Sequence, residues 1–348
     1  MQKENPFNIT FGKEPFSIIS RENELSQIYD SFESEKTNSN VYILTGIRGS
    51  GKTVSMTTIV EHFKNKENWI CIELNPESDM LEQLASKLYD KGQIKHLFLK
   101  KEFNFSFHGI SFSIKGETPI SNVSSLLDLM FSNLYKRNIH VLITIDEVIS
   151  NTYMKVFSHE FQRFLREKYN VSLIMTGLYQ NISLLENQKS LTFLYRAPKI
   201  YLSELNLKSI ANSYQNIFNI SDKDAISLAK ATGGYAYAYQ LLGNILFEEN
   251  KTKIDKKVLQ RYDELLYENA YTIIYNELSN KEKEILKYAS IDNLNAYILD
   301  KTNMSKAQLS NYKKALVQKG VIIQDKNKIV FRLPRFKEFI EFIKELEE

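Results

Sequence analysis

Eight consecutive residues, Gly46-Ile47-Arg48-Gly49-Ser50-Gly51-Lys52-Thr53, carry the spacing of a backbone built to wrap phosphate. Glycines let the chain curl until its N–H groups face an anion, and the start of a helix adds partial positive charge. A lysine and a hydroxyl then follow where terminal phosphates and a divalent cation would lie. The context also fits, because the run follows the apolar segment Val41–Thr45 and opens a helical pattern. On this reading Lys52 reaches the β- and γ-phosphates of ATP and the Thr53 hydroxyl ligates Mg²⁺. Gly46, Ile47, Arg48, Gly49, Ser50, Gly51 and Val54 complete the nucleotide-contacting set.

Such a loop needs a second strand that ends in an acid, and His140–Ile145 followed by Asp146-Glu147 supplies one. Asp146 is placed to hold the magnesium, usually through water, and Glu147 to polarise an attacking water. Another apolar run, Val171–Thr176, ends in Thr176-Gly177. The Thr176 side chain either contacts the γ-phosphate or the water, or simply caps the turn. Arg196, just before the run Lys199–Leu202, either reaches the nucleotide of a neighbouring subunit or is an ordinary surface arginine.

Five short β-branched runs are therefore expected as strands: Val41–Thr45, Trp69–Leu74, His140–Ile145, Val171–Thr176 and Lys199–Leu202. Helical patterns separate them at Arg21–Ser34, Thr53–Lys64, Met80–Lys91, Val123–Lys136 and Phe157–Tyr169. Continuous apolar strands alternating with helices predict an αβα parallel sheet, with ligands at the carboxyl ends of its strands. Phe103–Lys115 breaks the alternation, reading as a hairpin about His108-Gly109 that covers a sheet edge or touches a partner.

After Leu202 the pattern becomes helical, with Leu207–Phe218, Asp222–Lys230, Tyr235–Glu249 and Asp255–Asn276 expected as helices. Asn280–Ala289, Asn295–Lys301 and Ser305–Lys319 follow, then two short strands, Val321–Gln324 and Lys328–Leu333. Ser305 with Gln308 forms a capping box, and Gly320 is a C-terminal stop. That order is the order of a winged helix-turn-helix. The expected domains are residues 1–203, 204–277 (a helical lid) and 278–348.

Between Ser305 and Arg335 there are eight basic residues against the one acid Asp325, a local charge of +7 in a chain whose formal total is only +3. Lys306, Gln308, Asn311, Lys313 and Lys314 on the longer helix, with Lys326 and Lys328 on the wing, are the candidate contacts to double-stranded DNA. A solvated lysine-rich face or a protein-docking module would have the same composition.

The remaining composition narrows the field. With 348 residues, 43% of them hydrophobic, 12 Gly and 6 Pro, the chain is long enough for two or three folded domains and poor in linker-like sequence. The single cysteine, Cys71, excludes an internal disulfide and reads as a core residue. No run approaches the roughly 18 apolar residues of a membrane span, and no signal peptide is visible, so a cytoplasmic location without a membrane partner is expected. The five histidines have no metal-ligand spacing, and no nucleophile-elbow motif is present.

Together these segments resemble AAA+ ATPases of the replication-initiator, origin-recognition-like clade, and most closely bacterial ATP-binding proteins of that clade with a C-terminal winged helix. The resemblance rests on IISRENEL at Ile18–Leu25, TGIRGSGKTV, LITIDEV, FQRFLRE, LIMTGLYQNI, TFLYRAPK, ATGGYAYAYQLLG and YKKALVQKGVI, in that order. It implies that Ile18, Ile19 and Arg21 line the adenine pocket. It further implies that Asp146 and Glu147 are the Walker B pair, Thr176 is sensor 1 and Arg196 is a trans-acting arginine. Two departures matter: sensor 1 is usually Asn, and the arginine expected after the lid glycines is replaced in Gly233-Gly234-Tyr235-Ala236-Tyr237. The implied protein is a slowly hydrolysing ATP–Mg²⁺ switch, stimulated by a partner or by ATP-dependent homo-oligomerisation, whose winged helix engages DNA. The alternative is a signalling or defence-type ATPase whose winged helix docks protein. Tyr235, Tyr237 and Tyr239 read as lid packing.

Overall fold

The computed structural model describes residues 4–10, 15–34, 39–91, 106–107, 110–111, 122–188 and 192–347. Its chain divides into two compact units. A sheet unit holds Glu22–Thr45 and Lys52–Tyr201, and a helical unit holds Met1–Arg21, Gly46–Gly51 and Leu202–Glu348.

In the sheet unit the elements run α1 (Glu22–Glu33), β1 (Val41–Thr45), α2 (Lys52–Lys64), β2 (Trp69–Leu74), α3 (Met80–Asp90), β3 (Ser106–Phe107) and β4 (Ile110–Ser111). They continue as α4 (Val123–Lys136), β5 (His140–Ile145), α5 (Thr152–Arg166), β6 (Val171–Gly177), α6 (Tyr179–Glu186), α7 (Thr192–Arg196) and β7 (Lys199–Tyr201). Five strands form one parallel sheet in the order β2-β5-β6-β1-β7. β1, β5 and β6 are buried along almost their whole length, as a sheet covered on both faces requires. Phe157, Phe161 and Phe164 of α5 are fully buried, each burial contributing about 2 kcal/mol.

This is the αβα parallel sheet expected from the alternating pattern. One difference has a local cause. Helix α5 begins at Thr152, five residues before the apolar periodicity of Phe157, because the Asn151 side chain accepts the Met154 N–H and caps it there. The hairpin expected at Phe103–Lys115 lies largely outside the described residues, which retain only the antiparallel pairing of β3 with β4.

The helical unit contains α8 (Leu207–Phe218), α9 (Asp222–Ala231), α10 (Ala236–Glu248), α11 (Lys256–Leu266), a π-turn (Tyr267–Tyr271) and α12 (Thr272–Asn276). After these come α13 (Asn280–Ile291), α14 (Asn295–Thr302), α15 (Lys306–Gln318), β8 (Ile322–Ile323), β9 (Val330–Phe331) and α16 (Phe336–Glu347). One apolar cluster runs through all of it, from Phe7, Tyr214 and Tyr239 to Leu309, Leu316, Phe336 and Phe339. The residues expected as lid and winged helix thus share a core. The long helix expected at Asp255–Asn276 is interrupted by the π-turn, which keeps Tyr271 buried against Phe336 and Phe339.

Helix α15 starts on the expected capping box, with Ser305 and Gln308 bonding each other's backbone N–H. It stops at Gly320, whose φ of 77° lets the Val321 N–H return to Leu316 O at 3.0 Å. Among the described residues no helix is long and apolar enough to cross a membrane.

Candidate functional site

The sheet order explains how the acidic half of the site is assembled. β6 lies between β1 and β5, and its register sets Gly177 level with Thr45 and Met175 level with Ile145. Thr176 therefore emerges at the strand tips next to Asp146, while α2 presents Lys52 and Thr53 from its first turn.

Asp146 is the hub. Its Oδ2 accepts the Thr53 hydroxyl at 2.8 Å. Its Oδ1 accepts the hydroxyl of Thr176 and, at 3.1 Å, the Glu147 N–H. The Glu147 N–H also donates to Thr176 Oγ1 at 3.0 Å. Thr176 is fully buried, donates to Asp146 and accepts from the Glu147 N–H, so it orients Asp146 and the Glu147 backbone. Glu147 is exposed and adopts φ 50°, a left-handed conformation that costs a non-glycine residue about 1 kcal/mol. The turn is fixed by those two bonds and by the Val148 N–H donating to Thr176 O at 2.8 Å. Strain of this kind, held by its surroundings, is what functional turns accumulate.

Lys52 is buried at the start of α2. A hydroxyl and a carboxylate in contact, with a lysine one residue away, are a hard-oxygen donor set. It suits Mg²⁺, which takes one or two protein ligands and fills its remaining positions with water and phosphate oxygen. The Thr45 hydroxyl at the end of β1 is buried and makes no hydrogen bond among the described residues, a further polar group without a protein partner.

Gly46–Gly51 belongs to the helical unit and is held there by its carbonyls. The Tyr235 hydroxyl donates to Arg48 O at 2.7 Å, and the Tyr237 N–H to Gly49 O at 3.1 Å. The Arg21 guanidinium donates to Ser50 O at 3.1 Å and to Ser203 O at 2.7 Å. Gly49 has φ 74°, and a Cβ there would overlap the Tyr235 hydroxyl, so only glycine fits. The Ser50 hydroxyl is buried without a hydrogen bond among the described residues.

Other candidates are placed as follows. Arg21 spends its guanidinium on backbone carbonyls, Ile18 is exposed, and Ile19 packs against the helical core. Arg196 is exposed at the end of α7 and is not among the groups bonded to Asp146. Tyr239 is a packing residue whose hydroxyl bonds Ser213 at 2.7 Å and Ser17. Cys71 is half-buried, and burial pushes its thiol up to about 11, which keeps it protonated and unreactive at neutral pH.

The basic cluster divides in two. Lys313, expected on a DNA-facing surface, is instead buried. Its ammonium donates to Asn295 Oδ1 at 3.0 Å, Asp325 O at 2.8 Å and Lys328 O at 3.0 Å, tying α15 to α14 and to the β8–β9 connection. Burial pushes its pKa down, but all three donors are satisfied. Lys319 pairs with Glu282 at 2.7 Å, Arg332 with Glu204 at 2.5 Å, and Arg335 with Asp263 at 2.6 Å. Lys306, Lys314, Lys326 and Lys328 are exposed, as is Asn311. Gln308 is also exposed, but its side-chain oxygen serves the cap.

Sequence reasoning missed Tyr235 and Tyr237 as partners of the loop and Lys313 as a strut. It also passed over α16, although Phe336, Phe339, Ile340 and Ile343 carry a helical spacing.

A five-stranded parallel sheet with a glycine-rich loop after its first strand, and an acid at the tip of a strand one removed, defines a P-loop NTPase fold. Solved structures share it along nearly the whole chain. A Walker-type ATPase of Pyrococcus abyssi superimposes with a TM-score of 0.64 at 15% identity, over 93% of this chain and 96% of that one. The ORC2 protein of Aeropyrum pernix, solved with ADPNP and ADP, gives 0.55 at 13% identity over 93% and 92%. Cdc6p of Pyrobaculum aerophilum gives 0.51 at 15% identity over 97% of both chains. No family model and no curated protein matches the sequence.

Proposed function

We propose that this chain is an initiator-type AAA+ ATPase switch that binds ATP with Mg²⁺, hydrolyses it slowly and engages duplex DNA through its C-terminal winged helix. The observation that carries the nucleotide half is the convergence of Thr53, Asp146 and Thr176 at the strand tips, beside the buried Lys52. Lys52 supplies positive charge to the terminal phosphates, and Thr53 and Asp146 hold the metal. Thr176 fixes Asp146, and Glu147 orients and polarises water from its strained turn. Bound Mg²⁺ would neutralise charge on the phosphate oxygens. The nucleotide complexes of the structurally similar ORC2 protein support the same ligand class here. The segment Gly233-Gly234-Tyr235-Ala236-Tyr237 carries no arginine to speed hydrolysis, so turnover is slow, and Arg196 serves as a finger only for a neighbouring subunit.

The DNA half rests on Lys306 and Lys314 along α15 and Lys326 and Lys328 on the wing that Lys313 ties beside it. The internal pairing of the other four cations favours the second reading to that extent: a winged helix that docks protein, as in a signalling or defence-type ATPase.

Phosphate release by wild type and Glu147→Gln, with and without duplex DNA, tests both halves. Glu147→Gln should retain ATP binding and release phosphate about 100-fold more slowly. Equal rates with ATP bound would leave a nucleotide-binding scaffold. DNA affinity should fall steeply with salt and change between ATP and ADP, and insensitivity to both would overturn the DNA half.

A further inference from the structure

The phosphate loop has three consecutive carbonyls, those of Arg48, Gly49 and Ser50, and each accepts a hydrogen bond from the helical unit, two from the start of α10 and one from Arg21. The donors are the Tyr235 hydroxyl, the Tyr237 N–H and the Arg21 guanidinium. A trans peptide is planar, with its N–H opposed to its C=O. Holding these carbonyls therefore fixes the opposite direction of the Gly49 and Gly51 N–H groups, while the Ser50 N–H closes a turn within the loop on Ile47 O at 3.1 Å. Amides aimed in advance are what an anion-binding loop needs, because a floppy loop must lose conformational freedom each time it binds.

The grip is specific in its chemistry. Tyr235 is buried, and its hydroxyl, whose pKa burial raises, is a neutral donor committed to one carbonyl. Gly49 stands at a position the phosphate-loop pattern leaves variable, yet the tyrosine side chain leaves room for nothing larger. Arg48 adds a looser tie, its guanidinium 3.8 Å from Glu277 at the end of α12. Gly320, at the end of α15, approaches the Ile47 side chain so closely that a Cβ there would sit 3.2 Å from Ile47 Cβ. The ends of α12 and α15 thus both approach the loop.

We propose that Tyr235, with Tyr237 and Arg21, forms a carbonyl latch that pre-shapes the phosphate loop and governs how long nucleotide stays bound. Tyr235 is a positioning residue in this scheme, acting through the Arg48–Gly49 peptide. The idea rests on the nucleotide reading above and sharpens it. The segment that lacks the expected arginine grips the loop's backbone instead, so the loop is tuned for retention.

Tyr235→Phe removes the hydroxyl and keeps the ring. Losing one such donor should speed dissociation of a fluorescent ADP about five-fold. It should also speed amide hydrogen exchange in the peptide covering Gly46–Gly51, and shrink the rise in melting temperature that ADP gives. A packing role alone would lower the melting temperature equally with and without ADP and leave release and loop exchange unchanged, which would overturn the latch. Arg21→Met is the second variant, assayed with both ADP and inorganic pyrophosphate. Weakened binding of both supports the latch, whereas weakened ADP binding alone marks Arg21 as an adenine contact and overturns its place in it. A wild-type chain that binds neither ADP nor pyrophosphate would sink the nucleotide reading itself, separately from the latch.

Discussion

The strand-tip cluster around Asp146 and the basic cluster of α15 and the β8–β9 connection were both candidate sites in the sequence, but they fold into different things. Around Asp146 the expected groups meet: Thr53 and Thr176 bond the two carboxylate oxygens, and Glu147 is turned outward on a strained backbone. In the basic cluster Lys313, Lys319, Arg332 and Arg335 are consumed by partners inside the unit, leaving Lys306, Lys314, Lys326 and Lys328 exposed. A phosphate loop is a geometric demand, which few other structures satisfy at the same spacing. A run of lysines is only a composition, and burial decides afterwards which ammonium groups brace the fold.

Three variants sharpen that contrast. Lys52→Ala should have the largest effect, because on the proposed reading Lys52 makes a charge-assisted contact to phosphate worth about 3 kcal/mol. ATP affinity by calorimetry should fall by about two orders of magnitude, with the melting temperature nearly unchanged. Preserved affinity would mean that Lys52 is simply a buried structural lysine.

Next is Lys313→Met, which keeps the aliphatic stem but leaves Asn295 Oδ1 and the carbonyls of Asp325 and Lys328 without their donor. The cost is about 2–3 kcal/mol, a fall of roughly 5–10 °C in melting temperature by calorimetry. An unchanged melt, with DNA binding abolished, would return Lys313 to the nucleic-acid face.

The smallest effects belong to the exposed lysines. Changing Lys306, Lys314 or Lys326 singly to Ala should weaken duplex binding by at most about ten-fold without altering stability. Each should also reduce the salt slope by about 0.9. Flat slopes across all three would favour a docking surface for protein.

Much of the sheet unit was legible because its signals are local. β-branched runs mark buried strands, and Gly-x-x-x-x-Gly-Lys-Thr needs a strand before it and a helix after it. The start of α5 at Thr152 was hidden because a single capping side chain, Asn151, sets it ahead of the apolar periodicity. The π-turn at Tyr267–Tyr271 was hidden because the hydrophobic spacing of its neighbours reads as one continuous helix. Neither feature repeats along the chain, so periodicity cannot report it.

By itself the sequence determined the alternation of strands and helices, the phosphate loop, the acidic pair and the capping box at Ser305. All of these depend on residues close together in the chain. The fold alone decided that Thr176 would reach Asp146, because that depends on β6 being inserted between β1 and β5. It alone decided that Lys313 would be buried and that Tyr235 would bond Arg48, 187 positions away in the chain. Those outcomes turn on which groups are brought within 3 Å of one another and which remain in water, and spacing along the chain does not encode that.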